Sequence, residues 1–117
     1  MGEVHRGKVG GLHNWIYYND QQGNINYIGY YYRIIFANNK GSLLCIKYEW
    51  MGAKKKEGSM FVGTSPEIEL AIFTTCFMMV KGRCHAEMGG MRFKVVTVPN
   101  KNDTNLICTA YPINETF

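Results

Sequence analysis

The sequence predicts an α+β fold with a mostly antiparallel sheet and two helices. Three observations carry that expectation. Short runs rich in tyrosine, isoleucine and valine recur along the chain, as strands require. Glycine pairs and glycine-containing polar stretches punctuate them. One unusually complete helix start, Thr64-Ser65-Pro66-Glu67, opens a long apolar run. The 117 residues suit one compact domain, and a hydrophobic content of 46% is enough for its core.

Taken in order, Gly7-Lys8-Val9-Gly10-Gly11 reads as a flexible glycine-rich turn. Leu12 to about Gln22 reads as a short helix ended by Gly23. Asn24 to Phe36 reads as a strand with a break at Gly29, and Asn38-Asn39-Lys40-Gly41 as a turn. Leu43 to Trp50 follows as a strand, Gly52 to Gly58 as a polar loop and Ser59 to Gly63 as a short strand. The helix beginning at Thr64 or Ser65 has proline in its first turn and a glutamate placed to answer the cap. It runs to about Val80 and is apolar nearly all round, so it is expected to be buried. Strands near Cys84–Met88 and Met91–Val98, joined at Gly89-Gly90, form a hairpin. Leu106 to Tyr111 is the last strand, for about six strands in all.

Thirteen lysines and arginines against nine aspartates and glutamates give a net charge of +4. That balance favours polyanionic partners by steering, but the longest basic run is only Lys54-Lys55-Lys56. The eight tyrosines suit either a wet groove or the edge of a sheet. Cys45, Cys76, Cys84 and Cys108 contain no CxxC pair, which excludes the usual zinc spacing. Their even count permits disulfides, while three of the four sit in apolar runs, where a buried free thiol is the commoner state. The triplets Asn102-Asp103-Thr104 and Asn114-Glu115-Thr116 are glycosylation acceptors only in a secreted protein. The first residues lack a signal-like apolar stretch, and no segment is long enough to span a bilayer. The compartment stays open.

Several residues stand out before any family is considered. His13 is expected at a helix start just after Gly10-Gly11, where unpaired backbone N–H groups attract anions. It therefore reads either as part of a phosphate site or as a simple cap. Lys55 lies in the expected loop and reads as an anion contact or a solvated basic turn. Ser59 and Thr109 are small hydroxyls at strand ends, and Tyr111 precedes Pro112. His85 reads as structural and His5 as a mobile surface residue.

The arrangement of these residues resembles one family. Gly7-Lys8-Val9-Gly10-Gly11-Leu12-His13-Asn14-Trp15-Ile16 is similar to the segment around the second active-site histidine of the EndoU endoribonucleases. Trp50-Met51-Gly52-Ala53-Lys54-Lys55-Lys56-Glu57-Gly58-Ser59 resembles that family's Trp-x-Gly-x-x-Lys-x-x-Gly-Ser element. Phe61 to Ala71, with Cys76-Phe77 beyond it, resembles the family helix, and Thr109-Ala110-Tyr111-Pro112 its last strand. These matches run in order along essentially the whole chain.

The resemblance implies a uridylate-specific endoribonuclease acting on single-stranded, uridine-containing RNA. It implies attack by the ribose 2′-hydroxyl, giving 2′,3′-cyclic phosphate and 5′-hydroxyl ends. By the same resemblance His13 is the base, Lys55 stabilises charge on the phosphorane and the Gly11 amide holds a phosphate oxygen. Ser59, Thr109 and Tyr111 fall on residues that line the uridine pocket. Activation by Mn²⁺ or Ca²⁺ is also implied, although no ligand cluster is assignable and the chemistry does not demand a metal. The family's other histidine, in a Glu-His-x-Phe segment, would fall just ahead of Met1. Residues 1–117 are thus expected to be the C-terminal part of the catalytic domain, with the spacing of His5 unsuited to replace the acid.

Two consequences are expected. Losing one acid or base costs about 10²–10⁴-fold in rate, so cleavage is expected to be weak or absent. Apolar surface left uncovered is expected to favour self-association. The alternative is a non-catalytic RNA-binding module of the same fold. A purely structural domain leaves the registered positions of His13, Lys55, Ser59 and Tyr111 unexplained.

Overall fold

A computed structural model describes residues 2–36, 41–80 and 82–115. The chain opens with a hairpin of β1 (Gly2–His5) and β2 (Lys8–Gly11), paired from Gly2↔Gly11 to His5↔Lys8. Arg6 and Gly7 turn it with φ of 52° and 74°, the left-handed pair that a tight hairpin needs. The expected flexible turn is therefore a strand pair, and His5 is an exposed strand residue rather than part of a mobile start. β2 then joins the main sheet in parallel, at Lys8↔Lys54.

Helix α1 (Trp15–Asp20) begins later than expected. Gly11 and Leu12 both take left-handed φ, 69° and 59°, which breaks any helix reaching back to Leu12. The side chain of Asn14 accepts from the Tyr17 N–H at 3.0 Å and caps the helix. His13 therefore precedes the cap and does not open the helix. A short 3-10 turn (Gln22–Asn24) follows.

β3 (Ile25–Ile35) pairs antiparallel with β4 (Ser42–Trp50) and is the outer strand of a five-stranded sheet ordered β1-β2-β5-β4-β3. The break expected at Gly29 is a register shift between Tyr27 and Gly29, and a second lies between Tyr30 and Tyr32. The expected turn at Asn38–Gly41 lies largely outside the described residues. Met51 and Gly52, with φ of 50° and 75°, close a tight hairpin onto β5 (Ala53–Val62). The polar loop expected over Gly52–Gly58 is thus mostly strand. The Trp50↔Ala53 pair shuts the hairpin at once, and exposed Lys54 and Lys56 flank a partly buried Lys55 in strand alternation.

Helix α2 (Pro66–Met79) starts where expected, with Ser65 accepting from the Ile68 N–H at 3.2 Å. Its expected burial does not follow. Only Glu69, Cys76 and Phe77 are buried, while Leu70 is 68% and Met78 78% exposed. A single helix laid on a small body touches it along one stripe, and an apolar sequence all round leaves the rest uncovered. β6 (Arg83–Met88), β7 (Met91–Pro99) and β8 (Ile107–Asn114) form a second, antiparallel sheet in the order β6-β7-β8. Gly89 and Gly90, φ 59° and 77°, make the expected turn. The described residues hold eight strands; the first hairpin supplies the two that the sequence reading lacked.

Two apolar clusters hold this together. Leu12, Ile46, Tyr48, Trp50 and Met60 pack beneath α1 on one face of the large sheet. Phe36, Leu43, Phe61, Phe93 and Val95 fill the space between the other face and the small sheet. Phe61 sits at the centre of the second, edge-on to Phe36 and Phe93 and stacked on Phe73. Cys76 and Cys84 form a disulfide that ties the end of α2 to β6, as the even cysteine count permits; the apolar run around Cys76 does not leave it a free thiol. Their Cα atoms are 5.6 Å apart, within bridging reach. Cys45 is free and buried, and Cys108 free and exposed. Among the described residues no helix is long and apolar enough to cross a membrane.

Candidate active site

Where β8 crosses the second face of the large sheet, a small cleft of about 130 Å³ is lined by His13, Lys55, Ser59 and Tyr111. Cys45, Glu57 and Ile113 complete its walls. Four of the residues singled out in the sequence thus meet at one place.

His13 arrives there through backbone geometry. The left-handed turn at Gly11 and Leu12 throws the chain off the end of β2. Buried Leu12 anchors it, and its carbonyl accepts from the Tyr48 hydroxyl at 3.4 Å. Beyond it, Trp15 Nε1 donates to the Thr64 carbonyl at 2.7 Å and fixes the start of α1 against the approach to α2. The imidazole is then gripped twice. Its Nδ1 lies 2.8 Å from the Ser59 carbonyl oxygen, and its face stacks on Tyr111 with centroids 4.5 Å apart and planes 25° apart.

The first of these contacts fixes the tautomer. A carbonyl oxygen only accepts, so Nδ1 carries the hydrogen and Nε2 is the basic nitrogen. Burial lowers the pKa of His13 from 6.5 to about 3. The Lys55 ammonium pushes in the same direction, and the Ser59 carbonyl pulls back. At neutral pH the ring is an uncharged base.

Lys55 projects from β5, and its Nζ donates to the Val9 carbonyl at 3.3 Å. Burial lowers its pKa below the ordinary lysine value. An ammonium has three hydrogens, so the Val9 contact leaves donors for an anion in the cleft. Ser59 is buried, and its carbonyl has the additional task of holding His13.

Gly11 and Thr109 do not line this cleft. They border a neighbouring one of about 380 Å³, to which His13 also contributes. The imidazole is the shared wall between the two. Neither His5 nor His85 lines either cleft.

Sequence reasoning missed Cys45, Glu57 and Ile113 in the first cleft and Glu69 in the second. Strand alternation would have found Glu57, two residues past Lys55, had the segment been read as strand. Cys45 follows from its pairing with Ser59. Its pKa is pushed up to about 11, chiefly by burial, so it is a neutral thiol at physiological pH. Glu69 is buried and accepts from Thr64 Oγ1 at 3.1 Å, and burial raises its pKa to about 7. Nothing in an apolar helix sequence marks this carboxyl for burial.

Among the described residues no group of three or more His, Cys, Asp or Glu side chains is arranged to hold a metal ion. The cleft itself offers a protonated thiol, an imidazole whose Nδ1 is already engaged, and one exposed carboxylate. That donor set does not suit Mn²⁺ or Ca²⁺.

A family model described as "Endoribonuclease XendoU" matches residues 1–112. The chain is 34% identical over 120 residues to the Uridylate-specific endoribonuclease C of Xenopus laevis, covering 96% of this chain and 39% of that protein. It is 34% identical over 123 residues to the Uridylate-specific endoribonuclease of Homo sapiens, covering 98% of this chain and 30% of the relative. It also resembles the solved structure titled "The structure of XendoU: a splicing independent snoRNA processing endoribonuclease". That likeness has a TM-score of 0.63 at 29% identity, over 88% of this chain and 39% of the other. The chain therefore spans well under half the length of these relatives.

Proposed function

This chain belongs to the XendoU endoribonuclease family, and from that premise we propose that it binds uridine-containing single-stranded RNA in the cleft between β5 and β8 and promotes cleavage 3′ of the uridylate. The observation that carries the reading is the fixed, neutral His13, which lines one small cleft with Lys55 and whose Nδ1 is held by the Ser59 carbonyl.

RNA brings its own nucleophile, so the protein has to supply a base and a counter-charge. In this reading Nε2 of His13 takes the proton of the ribose 2′-hydroxyl, the 2′-oxygen bonds to phosphorus and the bond to the 5′-oxygen breaks. The products are a 2′,3′-cyclic phosphate and a 5′-hydroxyl. Lys55 stabilises the charge that builds on the phosphate oxygens. Tyr111 and the Ser59 hydroxyl hold the sugar and the uracil, while Gly11 and Thr109 act from the adjoining cleft beyond the imidazole. No step requires the Mn²⁺ or Ca²⁺ that the family resemblance implies, and the residues of the cleft do not fit such an ion.

Among the described residues no second imidazole lines the cleft, so in cleavage by residues 1–117 alone the leaving 5′-oxygen would take its proton from water. Cleavage is then about 10²–10⁴-fold slower than with a complete acid–base pair. The same observation favours the second reading, an RNA-binding module that does not cut.

The test is incubation of purified protein with a uridine-containing oligonucleotide, read by gel and mass spectrometry. Slow formation of cyclic phosphate ends 3′ of uridine, lost in His13→Ala, supports the first reading. Binding that weakens with salt but leaves the RNA intact supports the second. Absence of both would end the RNA reading.

A further inference from the structure

We propose that the strand surface beside the cleft is a second nucleotide subsite, in which the ring of Tyr31 stacks on the base adjoining the uridine. This rests on the RNA reading above.

β3 and β4 are in register through Tyr30↔Ile46 and Tyr32↔Cys45, so Tyr31 is the extra residue of a bulge. In an unbroken strand, Tyr31 and Tyr32 would face opposite sides of the sheet. Here both are tied to one side. Tyr32 pairs with Cys45, whose side chain lines the cleft. Tyr31 lies beneath Lys47, with Nζ 5.9 Å from the ring centroid. Lys47 is two residues beyond Cys45 and so shares its face. The bulge thus turns Tyr31 toward the side of the sheet on which RNA would lie.

Spacing and charge agree. Cys45 and Lys47 are separated along β4 by roughly 7 Å, a gap that one phosphodiester linkage can span. Lys47 covers one face of the Tyr31 ring, and the residue's 47% exposure leaves the other face for a base, with exposed Lys47 beside it to meet the linking phosphate. Glu57 opposes this locally, since its carboxylate lies on the same wall. The subsite therefore relies on ring stacking, with Lys47 offsetting Glu57. The other exposed tyrosines of β3 do not serve. Tyr27 and Tyr30 line a groove with Leu44 and Ile46, which alternate away from Cys45 and the cleft. Stacking tolerates any base, so the subsite adds affinity for longer RNA and no selectivity of its own.

The test uses 2′-deoxyuridine ligands, which lack the nucleophile, with binding read by fluorescence anisotropy. A deoxyuridine mononucleotide is compared with dinucleotides extended on either side of the deoxyuridine. One extension is expected to tighten binding by roughly fivefold or more. Tyr31→Ala should abolish that gain and leave mononucleotide affinity unchanged, while Tyr31→Phe should keep it. Wild-type protein that binds the mononucleotide but gains nothing from either extension would overturn the subsite alone. So would a Tyr31→Ala variant that retains the gain. Failure to bind any of these ligands would instead overturn the RNA reading, and the subsite with it.

Discussion

His13 and Tyr111, from opposite ends of the chain, lie ring on ring with centroids 4.5 Å apart. The phenol covers one face of the imidazole while the Ser59 carbonyl holds its edge. The stack therefore both orients the ring and keeps water from it, and water exclusion is the first cause of the depressed pKa. Tyr111→Ala should expose the imidazole and raise its pKa from about 3 back toward 6.5. Tyr111→Phe should leave it low. Titration of the His13 ring protons by NMR reads this directly, and an unchanged midpoint in Tyr111→Ala would mean that the stack does not shield the ring.

Lys55 holds two roles that substitution should separate. Its Nζ ties β5 to the Val9 carbonyl, and its charge faces the cleft. Lys55→Ala should cost about 1.5–3 kcal/mol in stability, the range of a hydrogen bond to a charged group. Any cleavage should fall about 10²–10³-fold, as when one oxyanion donor is removed. RNA binding should also become less sensitive to salt. Denaturant melts and binding at two salt concentrations test the two roles independently. A salt dependence equal to that of the wild type would remove Lys55 from the phosphate site.

The sequence announced some of this and hid the rest for identifiable reasons. The Ser65 cap, the Gly89-Gly90 turn and the strands on either side of it are local features, and local chemistry specifies them. His13, Lys55, Ser59 and Tyr111 stand out in the sequence through the family resemblance, and the four line one cleft. The placement of Lys55 was misread because three lysines in a row look like a loop. A strand with one face half-exposed accommodates them as readily. The helix extending from Leu12 was misread because no periodicity reveals a left-handed φ at a leucine. Glu69 and the partnership of Cys76 with Cys84 are tertiary facts, set by what α2 packs against.

His13 makes the protein acid-sensitive. Its ordinary pKa is 6.5, and in the folded chain it is about 3. Between those values the unfolded chain binds more protons, so stability falls as pH drops from about 6.5 toward 3. Substituting His13→Gln should flatten the pH dependence of the melting temperature across that window. If the variant kept the slope of the wild type, another group would be responsible.

Glu69 acts in the opposite sense. Burial raises its carboxyl from the ordinary 4.5 to about 7, despite the Thr64 hydroxyl that favours the charged form. Between these values the folded chain holds more protons, so ionisation of Glu69 costs stability as pH rises from about 4.5 to 7. Glu69→Gln keeps an oxygen for Thr64 and removes the charge. It should raise the melting temperature above pH 7 and change it little below pH 4.5. A gain of equal size at both ends would show that packing, and not charge, is the cause.

The Cys76–Cys84 bridge closes a short loop at the end of a largely exposed helix. A cross-link over so few residues restricts the unfolded chain by about 2–3 kcal/mol, less than a long loop would give. Reduction, or Cys84→Ser, should lower the melting temperature and loosen the last turn of α2 first. That end has few other anchors, since Met78, Met79 and Val80 are exposed. The cleft shares no lining residue with the Phe61 cluster that holds Cys76, so uridine binding should survive the loss. Hydrogen exchange with and without reductant tests this: faster exchange confined to the end of α2 and β6 is the expected pattern. Equal loosening around His13 would mean that the bridge also supports the cleft.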